Sequence, residues 1–143
     1  MTDITEGQAA AAFDMATDGE GRVTLAGLKG KSVVLYFYPK ADTPGCTTEG
    51  LDFSALADPF AAAGAVVIGV SRDAVKKLDR FKAKHDLKIV LGSDEDGVVC
   101  EAWGTWVQKK LYGREYMGVE RATFLIDGAG VVRRVWRLSL IHI

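Results

Sequence analysis

Two continuous runs of β-branched and aromatic residues constrain the fold of this chain more than any other feature. Residues 33–38 read VVLYFY and residues 65–70 read AVVIGV, a pattern typical of strands that are buried on both faces of a sheet. The stretch between them has apolar residues at helical spacing, in Leu51, Ala55, Leu56 and Phe60. A strand–helix–strand unit of this length predicts a right-handed parallel crossover. Because Pro59 lies inside the helical stretch, we expect a kink or restart near Asp58.

The rest of the chain adds shorter elements. Residues 74–85 predict an amphipathic helix whose inward positions are Val75, Leu78 and Phe81. We expect further short elements as follows: a strand at 89–91, a helix at 97–103, and strands at 122–127 and 131–137 around a glycine-containing turn. Residues 104–118 have no clean period and are interpreted as a loop with a little strand. The sum is an α/β fold, with a mixed sheet that is parallel early and antiparallel late and has helices on its faces.

Length and charge limit the domain count and the partners. A chain of 143 residues with 48% hydrophobic and 26% charged residues fits one domain, which we assign to residues 1–137. The 18 basic and 19 acidic residues supply no broad cationic surface, so neither nucleic acid nor a membrane is expected as a partner. No apolar stretch approaches the roughly 20 residues of a spanning helix. The acidic first seven residues lack the pattern of a secretion signal, which predicts a cytoplasmic protein.

Cys46 is the residue with the clearest chemical potential. It follows the first buried run in the segment PKADTPGC, at the carboxyl end of a predicted parallel strand, where α/β sheets usually place their ligands. Thr43 suits an N-cap and Pro44 suits the first helical position, so Cys46 is expected in the first turn of a helix. Free backbone N–H groups and the positive end of the helix dipole favour the nucleophilic thiolate there. From position alone, a cysteine that merely packs at a helix start is an equally good interpretation.

A resemblance to a known family decides between these interpretations. Pro39, Thr43 and Cys46 match the P-x-x-x-T-x-x-C signature of peroxiredoxins, and the block YFYPKADTPGCTTE resembles the bacterioferritin-comigratory, or PrxQ-type, branch of that family. The similarity extends from about Phe13 to Arg137 and includes GSDEDGVVCEAWG and KKLYGREYMGVERATFLID. It implies a thioredoxin-like fold, which agrees with the order of elements predicted above.

The resemblance also implies a role for each matching residue. Cys46 would be the peroxidatic cysteine, which attacks the O–O bond of a hydroperoxide and becomes a sulfenic acid. Thr43 would hydrogen-bond the thiolate and the peroxide, and Pro39 would shield the site from water. Arg121 matches the arginine of the family, whose guanidinium stabilises negative charge on the sulfur and on the departing oxygen. Glu49, one helical turn after Cys46, is expected to hold that arginine. Judged without the resemblance, Arg121 would more simply be a solvated strand end.

Cys100 is the candidate resolving cysteine. In the PrxQ-type branch the resolving cysteine usually lies five positions after the peroxidatic one or in the following helix, where this chain has Leu51 and, by alignment, Lys82. Cys100 lies in the apolar segment VVC, where a packed core thiol is the preferred interpretation. A disulfide with Cys46 would require the two Cα atoms to come within about 7 Å, which implies local unwinding. We therefore expect recycling of one cysteine by thioredoxin, glutaredoxin or glutathione.

The resemblance implies a thiol peroxidase that reduces hydrogen peroxide and small organic hydroperoxides without a metal or other cofactor, as a monomer or weak dimer. The alternative is a non-enzymatic redox sensor or holdase that acts through oxidation of Cys46. A dithiol oxidoreductase is disfavoured because Glu49 stands where a C-x-x-C motif needs its second sulfur. His85 and His142 lie far apart in the sequence without ligand-like neighbours, so no metal site is predicted.

The end of the sequence departs from the family pattern. Relatives usually continue after the strand at Trp136 with a turn and a last helix, whereas this sequence ends LSLIHI. Those six residues are also the translation of a transposon end used in sequencing libraries. We therefore expect residues 138–143 to be a non-native tail, and the C-terminal helix to be missing from the chain. The alternative is that these residues form a real apolar edge strand.

Overall fold

A computed structural model describes residues 5–111 and 113–137 of the chain. The strands are β1 (Asp14–Thr17), β2 (Gly21–Thr24), β3 (Ser32–Phe37), β4 (Ala65–Ser71), β5 (Val90–Ser93), β6 (Trp106–Leu111), β7 (Arg114–Val119), β8 (Ala122–Ile126) and β9 (Val132–Arg137). The helices are α1 (Pro44–Ala55), α2 (Ala57–Ala62), α3 (Val75–His85) and α4 (Val98–Ala102). The tail predicted at residues 138–143 lies outside the described residues.

Seven strands form one mixed sheet in the order β2-β1-β5-β4-β3-β8-β9. The three central strands, β5, β4 and β3, are parallel, and the outer pairings are antiparallel. The two apolar runs of the sequence become β3 and β4, and the predicted parallel crossover between them is confirmed. The expected α/β fold with a mixed sheet and flanking helices is therefore confirmed.

Alternating side chains of β3 divide the core into two layers, one on each face of the sheet. On one face, Tyr36 and Tyr38 pack with Cys46 and with the buried residues of α3. On the other face, Leu35 and Phe37 pack with α4 and with Trp103. Apolar burial on both faces explains why the β3 sequence is continuously hydrophobic rather than alternating.

The predicted break in the first crossover helix is confirmed, but of the four apolar residues in the predicted helical pattern only Phe60 packs on the core. The helix stops at Ala55 and restarts at Ala57, ahead of Pro59. Leu51 and Leu56 are 44% and 48% exposed, whereas Gly50 is buried and Phe53 and Phe60 pack on the core. A small residue faces inward because the helix packs closely on α3 and the segment that follows it: a Cβ atom on Gly50 would be 3.4 Å from a methyl carbon of Leu87 and 3.7 Å from the Phe81 ring.

Two strand pairs differ from the expectations. Residues 104–118, interpreted as a loop, contain β6 and β7, which pair only with each other in a separate two-stranded ribbon. Strands β1 and β2, which had no counterpart in the predictions, add an antiparallel hairpin at the β5 edge. Within the described residues no helix is long and apolar enough to cross a membrane.

Candidate active site

Cys46 lies in the first turn of α1, at the carboxyl end of β3. The helix begins at Pro44 with Thr43 as its N-cap residue, as the sequence predicts. The first-turn position places the sulfur near the N–H groups that a helix start leaves without intrahelical partners. Cys46 is only 1% exposed and packs in the core layer formed by Tyr36, Tyr38 and Ala41. A reagent must therefore reach the sulfur through a restricted opening.

Arg121 connects this sulfur to a carboxylate on the same helix. Its Nη2 donates a hydrogen bond to Cys46 Sγ at 3.3 Å, and its Nη1 donates to Glu49 Oε1 at 2.8 Å. The Arg121 side chain is 32% exposed and the Glu49 side chain 18% exposed, so the ion pair is only partly screened by water. The structure thus brings together three residues that span 75 positions of the sequence.

Arg121 lies in the turn between β7 and β8. The backbone N–H of Glu120 donates to the Thr105 carbonyl at 2.7 Å, which fixes the turn one residue before Arg121. A Cβ atom at position 45 would lie 3.3 Å from Arg121 Nη2, so the absence of a side chain on Gly45 lets the guanidinium approach the first turn of α1. Gly45 was not identified from the sequence, since only the position of the arginine reveals why a glycine is needed.

Thr43 and Pro39 lie in the segment that leads into α1. Thr43 is half-buried, and its hydroxyl donates to the Lys40 carbonyl at 2.8 Å and accepts no hydrogen bond from an N–H of the helix. Its capping position is therefore as expected, but the side chain braces the preceding turn. Pro39 is exposed in the bend after β3. The same segment is anchored from behind, because the N–H of Ala41 donates to Asp73 Oδ2 at 2.7 Å.

The surroundings of the site shift the pKa of Arg121 and of Glu49. Burial alone would lower the pKa of Arg121, but hydrogen bonds and charges from Cys46 and Glu49 raise it overall. Burial raises the pKa of Glu49 above its ordinary value, against the opposing effect of Arg121. Arg121 is therefore a permanent cation beside the sulfur, whereas Glu49 takes up a proton at a higher pH than an exposed glutamate does.

Aromatic rings form the wall behind the site. The rings of Tyr36 and Phe53 stack with centroids 4.5 Å apart, and the Tyr36 hydroxyl is buried without a hydrogen-bond partner among the described residues. A groove of about 460 Å³ opens beside Arg121 and is lined by Phe53 and the exposed Leu56. This apolar side of the site can contact an alkyl group while the guanidinium contacts oxygen atoms.

Lys109 is a second cation near the site that the sequence did not identify. Burial and then the neighbouring Arg121 charge lower its pKa, while the charges of Glu120 and Cys46 raise it. The residue lies on β6, in the segment interpreted as a loop, so no facing could be assigned to its side chain. Lys109 could have been identified from the sequence only if the β6–β7 ribbon had been recognised.

Cys100 lies on the other face of the sheet from Cys46. Cys46 belongs to the layer with Tyr36, whereas Cys100 is fully buried in the layer with Phe37 and Trp103. Burial raises the pKa of the Cys100 thiol far above its ordinary value, and the adjacent Asp94 carboxylate adds to the effect. Such a thiol is a poor nucleophile in the folded protein.

Comparisons with known proteins agree on one family. The model of the AhpC/TSA family matches residues 6–135. The peroxiredoxin Bcp of Bacillus subtilis is 47% identical over 134 residues, which cover 94% of this chain and 85% of that protein. The structure of a Xanthomonas campestris bacterioferritin comigratory protein, described with alkyl peroxide reduction activity, has a TM-score of 0.83 at 45% identity and covers 87% of this chain and 80% of its own. A mutant of Xylella fastidiosa PrxQ has a TM-score of 0.90 at 36% identity, covering 96% and 87% of the two chains.

Proposed function

Because the chain belongs to the AhpC/TSA family and, within it, to the Bcp/PrxQ peroxiredoxins, it is a thiol-dependent peroxidase, and we propose that Cys46 is the residue that the peroxide oxidises. The observation that carries this proposal is the pair of hydrogen bonds from Arg121, at 3.3 Å to the Cys46 sulfur and 2.8 Å to Glu49. A fixed cation at a helix start is the environment that keeps a thiolate available for attack.

In the proposed first step, the Cys46 thiolate attacks one oxygen of a hydroperoxide ROOH. The S–O bond forms as the O–O bond breaks, the sulfur loses two electrons, and RO⁻ leaves and takes up a proton to give ROH. Cys46 is left as a sulfenic acid. The reaction serves hydrogen peroxide and small organic hydroperoxides alike, because both supply the same O–O bond and the groove beside Phe53 accommodates a small alkyl group.

We assign the supporting roles from the contacts of each residue. Arg121 stabilises the thiolate and the negative charge that develops on the leaving oxygen. Glu49 is a positioning residue, since it contacts the guanidinium. Thr43, whose hydroxyl is held by the Lys40 carbonyl, retains oxygen lone pairs that can accept a hydrogen bond from the OH of a bound peroxide. Pro39 lies in the bend between β3 and α1, and we propose for it the role that the family motif implies, shielding the site from water.

An external thiol is proposed to recycle the enzyme. One thiol R′SH attacks the sulfenic sulfur and releases water, which leaves a mixed disulfide, and a second thiol then releases reduced Cys46 and the disulfide of the donor. Thioredoxin, glutaredoxin and glutathione all supply this chemistry. The separation of the two cysteines on opposite faces of the sheet supports this one-cysteine cycle in preference to an internal disulfide with Cys100. We place the reaction in the cytoplasm, where such thiol donors are kept reduced.

Peroxide consumption by matched cysteine variants tests the proposal. In a stopped-flow assay with each thiol donor, Cys46→Ser is expected to abolish turnover, while Cys100→Ala retains it. A Cys46→Ser enzyme that still turns over peroxide would refute the assignment. Mass spectrometry after one equivalent of peroxide tests the recycling step, because a disulfide between Cys46 and Cys100 would contradict it. Many turnovers per protein also separate the enzyme from a redox sensor, which would be oxidised once.

A further inference from the structure

Arg137, at the end of β9, makes a dense set of contacts behind the active-site arginine. Its side chain is only 11% exposed. Its Nη1 lies 2.6 Å from Glu120 Oε1 and 3.2 Å from the Gly104 carbonyl oxygen, and its Nη2 lies 3.2 Å from the Trp103 carbonyl oxygen. One guanidinium thus links the edge strand, the chain that leaves α4, and the turn before β8.

The acidic partner in this set directly precedes Arg121. Glu120 is held by its backbone N–H on the Thr105 carbonyl and by its carboxylate on Arg137. Thr105 is itself fully buried, and its hydroxyl donates to the Cys100 carbonyl at 3.1 Å. The residue before Arg121 is therefore fixed at both its main chain and its side chain, and a rigid neighbour limits where the guanidinium of Arg121 can lie.

We propose that Arg137 is a positioning residue for peroxide reduction, which acts through Glu120 to keep Arg121 on the Cys46 sulfur. This inference rests on the proposed roles of Cys46 and Arg121. The Glu120 carboxylate is an anion immediately beside Arg121 in the chain and only 21% exposed. Its hydrogen bond with Arg137, at 2.6 Å, holds the turn from which Arg121 extends. Loss of either partner loosens that turn and lets the Arg121 guanidinium move away from Cys46.

A second pair on β9 provides a matched control. Arg133 pairs with Asp127 at 2.7 Å, joining the same two strands near their other end. The Arg133 side chain is 61% exposed, and Asp127 closes the turn between β8 and β9 through bonds to Ala129 and Val131. Arg133→Gln therefore removes an arginine–carboxylate pair from the same strand without touching the turn that carries Arg121.

The test measures the second-order rate of Cys46 oxidation by hydrogen peroxide as a function of pH, in the full chain. Arg137→Gln and Glu120→Gln are each expected to slow oxidation about tenfold, because small displacements of a catalytic cation are costly. The midpoint of the pH–rate profile should also move to higher pH, because a displaced Arg121 guanidinium stabilises the Cys46 thiolate less. A purely structural role of Arg137 would not cause this shift. Arg133→Gln should keep the rate within about twofold and leave the midpoint unchanged. Glu120→Gln leaves the Arg137 contacts to Trp103 and Gly104 in place, so it carries the test if Arg137→Gln does not fold.

Arg121→Gln separates the positioning role of Arg137 from the proposed role of Arg121 itself. If Arg121→Gln slows oxidation while Glu120→Gln keeps both the rate and the pH profile of the parent, the positioning role of Arg137 is wrong and the proposed function stands. If Arg121→Gln also keeps the parent rate, the proposed function of Arg121 fails, and the inference about Arg137 fails with it.

Discussion

Replacing Glu49 by glutamine should separate activity from stability at the active site. The carboxylate of Glu49 accepts the hydrogen bond that fixes Arg121 Nη1 at 2.8 Å, while Nη2 of the same guanidinium contacts Cys46. In Glu49→Gln the amide oxygen can still accept this bond, so the geometry is retained but the charge on the acceptor is lost. The variant therefore tests the charge of Glu49 and not its shape.

The expected loss of activity follows from the type of hydrogen bond. Hydrogen bonds that involve a charged group contribute about 1.5–3 kcal/mol, and the bond between two charged partners lies toward the upper end of that range. The variant keeps only the charged donor, so the arginine is held about 1–1.5 kcal/mol less firmly. If that difference is lost in the transition state, peroxide oxidation of Cys46 slows by about 5- to 13-fold. The pH–rate profile should change as well. Because burial raises the pKa of Glu49, the parent should lose activity on acidification above the ordinary range of a glutamate, and Glu49→Gln should lack that loss.

Stability should respond in the opposite direction. The raised pKa means that folded Glu49 holds its proton more tightly than the unfolded chain does. Its contribution to folding is therefore fully present below the unfolded pKa and is lost as pH rises through the folded pKa. Glutamine has no proton to lose, so the free energy of unfolding of Glu49→Gln should gain relative to that of the parent as pH rises through the folded pKa of Glu49, which lies above the ordinary range of a glutamate.

Stopped-flow oxidation and urea unfolding at several pH values measure the two effects. Glu101→Gln is the control, since it makes the same glutamate-to-glutamine change at an exposed position of α4. It should leave the oxidation rate within about twofold of the parent. An oxidation rate for Glu49→Gln equal to that of the parent would refute the charge argument, and so would a loss of rate that tracks a fall in stability.

Two further predictions concern buried positions. Gly69→Ala should lower the free energy of unfolding by about 1–3 kcal/mol in urea titrations, because the new Cβ atom would lie 2.6 Å from the Tyr36 ring across the β3–β4 pair. An unchanged unfolding midpoint would contradict this packing. Because burial and Asp94 raise the pKa of Cys100, mass spectrometry should show it still reduced after native protein is treated with excess peroxide, and oxidised once the chain is unfolded in urea. Rapid oxidation of Cys100 in the native protein would overturn that interpretation.

The sequence predicts those parts of the fold whose local pattern and tertiary surroundings agree. Strands β3 and β4 were identified because burial on both faces selects continuous apolar residues, and this pattern survives at the level of single residues. The start of α1 was identified because the preference of Pro44 for the first helical position is a local effect. The approach of Arg121 to Cys46 has no local signal, and it was expected only from the resemblance to peroxiredoxins.

The β6–β7 ribbon escaped prediction for a physical reason. Residues of β7 are exposed on both faces from Arg114 to Met117, so neither alternation nor a buried run marks the strand. The ribbon pairs only within itself and is not a strand of the main sheet. Lys109 lies on β6, and the turn that holds Arg121 follows β7. Because the ribbon was not predicted, the cationic side of the site was predicted only in part.

The placement of the two cysteines on opposite faces of the sheet has a consequence for the proposed catalytic cycle. To meet Cys46, Cys100 would have to leave its layer. There α4 is fixed by two backbone N–H groups that donate to the Asp94 carboxylate, at 3.0 Å from Val99 and 2.7 Å from Cys100. An external thiol meets no such obstacle, since it approaches the face that carries α1. It must still reach a residue that is 1% exposed, so we expect the start of α1 to open after oxidation. The rate of recycling should therefore depend on how firmly Thr43 and Ala41 hold the segment before α1, through their bonds to Lys40 and Asp73.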